Sequence, residues 1–157
     1  MLDDSHKLSA RRMVWTALAL VGLLSLWYAF RPEKLFVNKR VDEPPPAALG
    51  QMTPLYTGSF HSEAHETSGR ATVYQQANGS RVLTLSNFST SNGPALRVIL
   101  LNGSSVADDQ DLGELNGNQG ERNYALPAGI DIGRFNTVAI YSAELHAVFG
   151  ATKLDAF

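Results

Sequence analysis

The densest group of potential metal ligands in the chain is the run His61-Ser62-Glu63-Ala64-His65-Glu66. In an extended strand alternate residues point to the same face, so His61, Glu63 and His65 would lie side by side. Two imidazoles and a carboxylate on one face can bind zinc, copper or iron, and His146 could add a further ligand. The alternative is a solvated strand end with two ordinary histidines. The spacing is not that of the helical His-Glu-x-x-His motif of metalloproteases.

A second group of oxygen ligands comes from Asp108, Asp109 and Asp111, in a polar stretch that we expect to form a loop. Three carboxylates could supply ligands to calcium. The stretch lacks the glycine and the distal glutamate of an EF-hand loop, so a solvated loop is the simpler interpretation.

The sequence lacks the residues and motifs that several other classes of functional site require. The chain contains no cysteine, which excludes disulfides, zinc–thiolate sites and a cysteine nucleophile. It contains no G-x-S-x-G nucleophile elbow, no P-loop and no dinucleotide fingerprint. We therefore expect no enzymatic activity and no cofactor. Residues 54–157 hold six basic and ten acidic residues, which argues against nucleic acid as a partner.

The elements that would position these residues begin after an apolar N-terminal segment. Residues 13–30 form an uncharged run of 18 residues. At about 1.5 Å per residue a helix of this length reaches about 27 Å, close to the thickness of a bilayer's hydrocarbon core. Trp27 and Tyr28 lie near its end, where amphipathic rings favour the membrane interface. No small-residue cleavage site follows. The pattern predicts a transmembrane helix that serves as an uncleaved signal-anchor.

The orientation of this anchor is not decided by charge, because basic residues flank both of its ends. A short tail, residues 1–12, before a C-terminal domain favours a cytoplasmic tail and an extracytoplasmic domain. Residues 31–53 mix charges with Pro44-Pro45-Pro46. They predict a linker, either a semi-rigid stalk or a disordered segment.

From residue 54 to residue 157 the pattern is that of a β domain. Short apolar runs alternate with turn residues, and no stretch keeps a helical period for three turns. Asn78-Gly79 predicts a hairpin with a type I′ turn, and the runs 137–141 and 145–149 predict another. The almost wholly apolar run 95–101 predicts a central strand buried on both sides. We expect an all-β fold, an antiparallel β-sandwich or a flattened barrel.

The same residues resemble a known family from about Tyr56 to Leu154. Four blocks carry the resemblance, in this order: Gly58 to Phe60 with His65 to Ala71; Leu83 to Phe88 with Ser91 to Val98; Leu115 to Gly120 with Tyr124 to Pro127; and Val138 to Ser142 with Phe149 to Ala151. The chain resembles the DM-thirteen domain family, which is described as an electron-transfer domain. Phe60, Phe88, Tyr124 and Phe149 are interpreted as core aromatics rather than as a cofactor site.

The resemblance implies a redox role that depends on a cysteine at the end of the penultimate strand. The aligned residue here is Ser142, and serine has no thiol–disulfide chemistry. We therefore predict a membrane-tethered, extracytoplasmic module that binds a protein, a glycan or a small ligand and has no catalytic activity. The alternatives are an electron-transfer accessory domain, as the resemblance implies, and a metal-binding domain that uses His61 and His65.

Overall fold

The computed structural model describes residues 13–23, 25, 38–44 and 52–157. Two compact units are present, one over Met1–Val37 and the other over Asn38–Phe157. The described part of the first unit is helical, at residues 13–23 and 25. Thr16 and Ser25 in this helix donate their hydroxyls to the backbone carbonyls of Met13 and Val21, at 2.9 and 2.7 Å.

The transmembrane helix predicted over residues 13–30 is not supported by this structure. Within the described residues, no helix combines enough length and apolarity to cross a membrane. The end of the predicted span, residues 26–30, lies outside the described residues. So do the predicted tail, residues 1–12, and most of the predicted linker, namely residues 31–37 and 45–51.

The second unit contains two antiparallel sheets of five strands. The strands are β1 (Thr53–Ser59), β2 (His61–Ser62), β3 (Thr67–Gln75), β4 (Arg81–Thr90), β5 (Leu96–Asn102), β6 (Ser105–Glu114), β7 (Gln119–Ala125), β8 (Thr137–Ser142), β9 (Ala147–Lys153) and β10 (Asp155–Ala156). The first sheet has the order β10-β1-β3-β4-β7, and the second has the order β2-β9-β8-β5-β6. The prediction of an all-β, sandwich-like fold is confirmed.

The core lies between the sheets because alternate residues of the strands face inward. Phe60, Phe88, Tyr124 and Phe149 are all buried there, as the sequence indicated. The strand predicted to be buried on both sides is β5, which lies between β8 and β6. Its Val98 and Leu100 join the main core, whereas Ile99 and Leu101 join a smaller apolar cluster. A strand buried on both faces needs apolar residues in consecutive positions, which explains the uninterrupted run.

Both predicted hairpins are present, as β3–β4 and β8–β9. The turn type predicted for the first one is wrong. Gln75 pairs with Arg81, and residues 76–80 connect the strands. Only Gly79 of this connection has a positive φ, of 84°, whereas a type I′ turn requires two such residues. The Asn78 side chain instead accepts a hydrogen bond from the Ser80 amide at 3.0 Å.

Part of the predicted linker, residues 38–44, belongs to the β unit. Residues 38–44, here called the N-terminal strap, lie beside β7 and form a parallel bridge between Arg40 and Gln119. The Val41 amide donates to the Gln119 carbonyl at 3.1 Å. The folded unit therefore begins at Asn38, within the stretch that the sequence assigned to the linker.

Candidate functional site

Two of the sequence blocks meet where β3 begins and β4 ends. The hydroxyls of Thr67 and Thr90 lie 2.8 Å apart and are buried. The Ser91 amide donates to the Glu66 carbonyl at 3.0 Å. These contacts bring the first and second blocks together at one end of the sandwich.

A polar cleft of about 500 Å³ opens at this end. Its walls carry hydroxyls, two side-chain amides and one carboxylate, from Ser62, Glu66, Ser68, Ser89, Ser91 and Gln119 among others. Such a surface can hold a ligand through many hydrogen bonds, but it offers little apolar area. The strap reaches the same cleft, because Asn38 also lines it. This cleft is the candidate functional site, since residues of the sequence blocks build most of it.

Phe149 is fully buried in the main core, behind the segment that carries Glu66 of the cleft. The ring of His65 lies against it, with the two centroids 4.0 Å apart. The amides of Glu63 and His65 both donate to the Phe149 carbonyl, at 3.0 and 3.2 Å. A Cβ added to Gly93 would collide with the Phe149 ring. The glycine of the second block is thus needed because an aromatic ring of the fourth block packs directly on its backbone.

The structure does not bring the three predicted metal ligands together. Strand β2 ends at Ser62, so the following residues do not continue the alternation that the sequence interpretation assumed. His61 Nε2 lies 3.0 Å from Glu63 Oε1, while His65 turns to Phe149. His146 lies in the β8–β9 turn, with Nδ1 3.4 Å from the Tyr141 hydroxyl. Among the described residues no three His, Cys, Asp or Glu side chains are placed to hold a metal ion. Metal binding at His61, Glu63 and His65 stays a prediction without this geometric support.

The acidic stretch is a strand and not the expected loop. Asp108, Asp109 and Asp111 all lie on β6, at the edge of the second sheet, where charged residues discourage pairing with other chains. Arg134 Nη2 donates to Asp108 at 2.8 Å, and Arg97 Nε donates to Asp111 at 2.7 Å. Hydrogen bonds from Asn102 and Arg134 lower the pKa of Asp108. Asp108 and Asp111 thus pair with separate arginines instead of converging on one cation.

Ser142, at the position where the resemblance implies a cysteine, is completely buried. Its hydroxyl donates to the Pro94 carbonyl at 2.8 Å and accepts from the Leu145 amide at 3.2 Å. Strand β8 ends at this residue, and the hydroxyl ties the β8–β9 turn to the segment before β5. The side chain therefore has a structural role that uses both the donor and the acceptor capacity of the hydroxyl.

Arg122, which the sequence analysis did not single out, is the largest fully buried side chain in the described part of the chain. It points inward from β7, as do Gly120 and Tyr124. Its Nη1 donates to the carbonyls of Val41 and, at 2.7 Å, Glu121, and its Nη2 donates to Asn116 at 3.0 Å. The Nε atom has no hydrogen-bond partner among the described residues. One sequence signal could have revealed it: a lone charge on the inward side of an alternating strand.

Comparison of the chain with models of known protein families tests the family resemblance of the four sequence blocks. The family model described as Electron transfer DM13 matches residues 59–154, more than half of the chain. The chain belongs to the DM13 family. Comparisons with curated proteins and with solved structures give no match.

Membership in the DM13 family relates this domain to electron transfer, and the matched range contains all hydrogen-bond partners of Ser142 but not all of those of Arg122. Ser142 and both of its partners lie inside the matched range. Arg122 also lies inside it, but Val41, which accepts one of its hydrogen bonds, lies outside. The residues of the third block, from Leu115 to Gly120, thus face a segment that is not part of the DM13 match.

Proposed function

We propose that this DM13 domain is an accessory module of an electron-transfer system that binds a partner or ligand in the polar cleft and performs no catalysis itself. Ser142 is the observation that carries the proposal. A buried serine whose hydroxyl has a donor and an acceptor partner supplies structure and no thiol redox step. The chain contains no cysteine at any position that could supply this step instead.

The cleft supports binding because the blocks of the family match converge on it. Its hydroxyl, amide and carboxylate groups favour a polar ligand, such as a glycan, or the polar surface of a protein. These groups lie on strand ends that the Thr67–Thr90 and Ser91–Glu66 hydrogen bonds hold in place. Because these strand ends are already held in place, little conformational entropy is lost when a ligand binds, which favours affinity.

Site-specific photo-crosslinking of the full chain in intact cells tests the binding role. A photoreactive residue at Ser91, in the cleft, is compared with one at Asn78, which is exposed in the turn at the opposite end of β3 and β4. We expect a discrete crosslinked product from position 91 and none from position 78. The same products from both positions, or none from either, would contradict binding in the cleft.

Electron transfer through a bound group is the second candidate function, and DM13 membership is the observation that favours it. The purified full chain is examined by visible absorption, metal analysis and a redox titration. A stoichiometric chromophore or redox-active metal would replace the binding proposal with this one. Loss of that metal in the His61→Ala, His65→Ala double variant would assign it to the histidine run.

We also propose that residues 13–30 tether the domain to the cell membrane, on its extracytoplasmic side. The support is the uncharged run of 18 residues and the exposure of its apolar side chains in the described helix, which include Val14, Trp15, Leu18 and Val21. An Asn78→Cys variant introduces the only thiol in the chain at an exposed site. Labelling of intact cells by an impermeant maleimide is expected, and labelling only after permeabilisation would refute the outward orientation.

A further inference from the structure

The outer edge of β7 is occupied by a segment that the family match does not include. The strap runs parallel to β7, with Arg40 opposite Gln119. The amides of Val41 and Glu43 donate to the carbonyls of Gln119 and Glu121, each at 3.1 Å. Hydrogen bonds that advance by two residues on both segments are the pattern of a parallel β-ladder. The strap therefore lies on the outer edge of the first sheet, joined to β7 by a parallel bridge and two backbone hydrogen bonds.

The edge of β7 is shaped to let a backbone approach closely. Gly117 and Gly120 have φ values of +123° and +109°. A Cβ on Gly117 would lie 2.6 Å from the Lys39 carbonyl oxygen, and one on Gly120 would collide with the Val41 carbonyl. Since glycine alone combines this φ with this clearance, both positions are suited to receiving an extended strand.

Polar groups at both ends of the edge recognise the strap. At one end Asn118, 4% exposed, accepts a hydrogen bond from the Lys39 amide at 2.8 Å. Its side-chain amide also donates to Asn38 Oδ1 at 2.9 Å. At the other end the backbone amide of Asn123 donates to the Glu43 carboxylate at 2.9 Å. These groups determine the register of the bound segment.

Between these ends the buried guanidinium of Arg122 donates to the Val41 carbonyl. In the described part of the chain Arg122 has no ion pair, and all four of its hydrogen bonds go to backbone carbonyls. An extended segment that offers a carbonyl at this point satisfies a buried donor that would otherwise lose a partner. The edge thus has a charged group that favours occupancy by a backbone.

We propose that the β7 edge from Gly117 to Asn123 is a binding site for an extended peptide in parallel orientation, and that the strap is its built-in occupant. The peptide that fits carries a carboxylate two residues after the carbonyl that Arg122 binds, as Glu43 follows Val41. Strand addition of this kind obtains affinity from main-chain hydrogen bonds and selectivity from side-chain contacts.

The covalent connection of the strap gives it an advantage over any free peptide. A tethered segment acts at an effective concentration on the order of millimolar. The apparent affinity for a free peptide is reduced by the fraction of molecules in which the site is open. Weakening the strap without changing the edge should therefore strengthen the binding of a free peptide.

Fluorescence polarisation on the full chain tests this competition, with a fluorescein-labelled peptide of residues 38–44 as the probe. Val41→Pro in the chain removes the amide that donates to Gln119 and leaves the edge intact. We expect the Val41→Pro chain to bind the probe at least about tenfold more tightly than the wild type. A probe with the same proline substitution is the matched control and should not bind.

A disulfide between Arg40→Cys and Gln119→Cys, which lie opposite each other in the bridge, fixes the strap in place. We expect no probe binding by the oxidised chain, and wild-type binding after reduction. Equal binding by the wild-type, Val41→Pro and oxidised chains would place the probe elsewhere and overturn the proposal. Absence of binding to the Val41→Pro chain at about 1 mM probe would also overturn it. If circular dichroism shows that this variant is unfolded, Glu43→Ala replaces it, with the same criteria.

Discussion

The β8–β9 turn and the β7 edge each bury a polar side chain, but they satisfy it from different parts of the chain. Ser142 needs one acceptor and one donor, and Pro94 and Leu145 supply them from within the family match. Arg122 carries five donors, which no single turn can satisfy, and it draws on a carbonyl of the strap. In this domain the buried guanidinium of Arg122 is therefore connected to the flanking sequence, whereas the buried hydroxyl of Ser142 is not.

Of the substitutions considered, removal of the Arg122 side chain should reduce the stability of the domain most strongly. Arg122→Ala removes the side-chain donor to the carbonyls of Val41 and Asn116 and opens a cavity in place of a fully buried side chain, so we expect a loss of about 3 kcal/mol or more in the free energy of unfolding. Urea denaturation of the full chain measures it. Arg134→Ala is the control, because Arg134 is an exposed partner of Asp108 and should cost no more than about 1 kcal/mol. Equal losses in the two variants would contradict the role of Arg122.

The close approach of the strap should be the next most sensitive feature. Gly120→Ala and Gly79→Ala both place an alanine at a positive φ, but nothing lies within 4 Å of a Cβ at Gly79. We expect Gly120→Ala to lose about 1–3 kcal/mol more than Gly79→Ala, because its Cβ meets the strap backbone. Hydrogen exchange should show lost protection of the Val41 amide in Gly120→Ala only. Retained protection would mean that the strap can shift to accommodate the methyl group.

The serine should show a smaller effect that stays local. Ser142→Ala removes both hydrogen bonds of the hydroxyl, and we expect a loss of about 1–2 kcal/mol. Protection of the Val41 amide should not change. Ser142→Cys should react with a maleimide only in denaturant, since the position is completely buried, whereas Asn78→Cys should react in the native chain. Fast labelling of Ser142→Cys in the native chain would contradict its burial and would support a redox role at this position.

Tyr124, which neighbours Arg122 on the inward side of β7, should give the smallest effect at neutral pH, because the ionisation of its phenol affects stability only in alkaline solution. Burial raises the pKa of its phenol to about 12, compared with about 10 in an unfolded chain. The unfolded state therefore releases this proton first, and stability falls as the pH rises from about 10 to about 12. Tyr124→Phe should lose less stability over this range in alkaline urea titrations. Below about pH 9 the two proteins should depend on pH alike, and identical slopes above pH 10 would refute the assignment.

Sequence patterns were informative wherever one local rule governed the structure. The uninterrupted apolar run of β5 and the two hairpins follow from periodicity and turn residues. The type I′ turn was wrong because the Asn78 side chain binds the Ser80 amide within a longer connection. The acidic loop was wrong because Asp108 and Asp111 are paired with arginines along an edge strand. In both cases a side-chain hydrogen bond that the local pattern does not predict decided the local structure.

The sequence alone determined the β character of the domain, its buried central strand and its family, since alternation and turn residues act over a few positions. The tertiary structure alone decided how the polar residues are used. It placed His65 on Phe149 and away from His61, and it gave both hydrogen bonds of Ser142 to the protein backbone. It also brought Val41 to Arg122, residues that are 81 positions apart. Hydrogen-bond partners at such separations depend on the packing of strands, which no local pattern records.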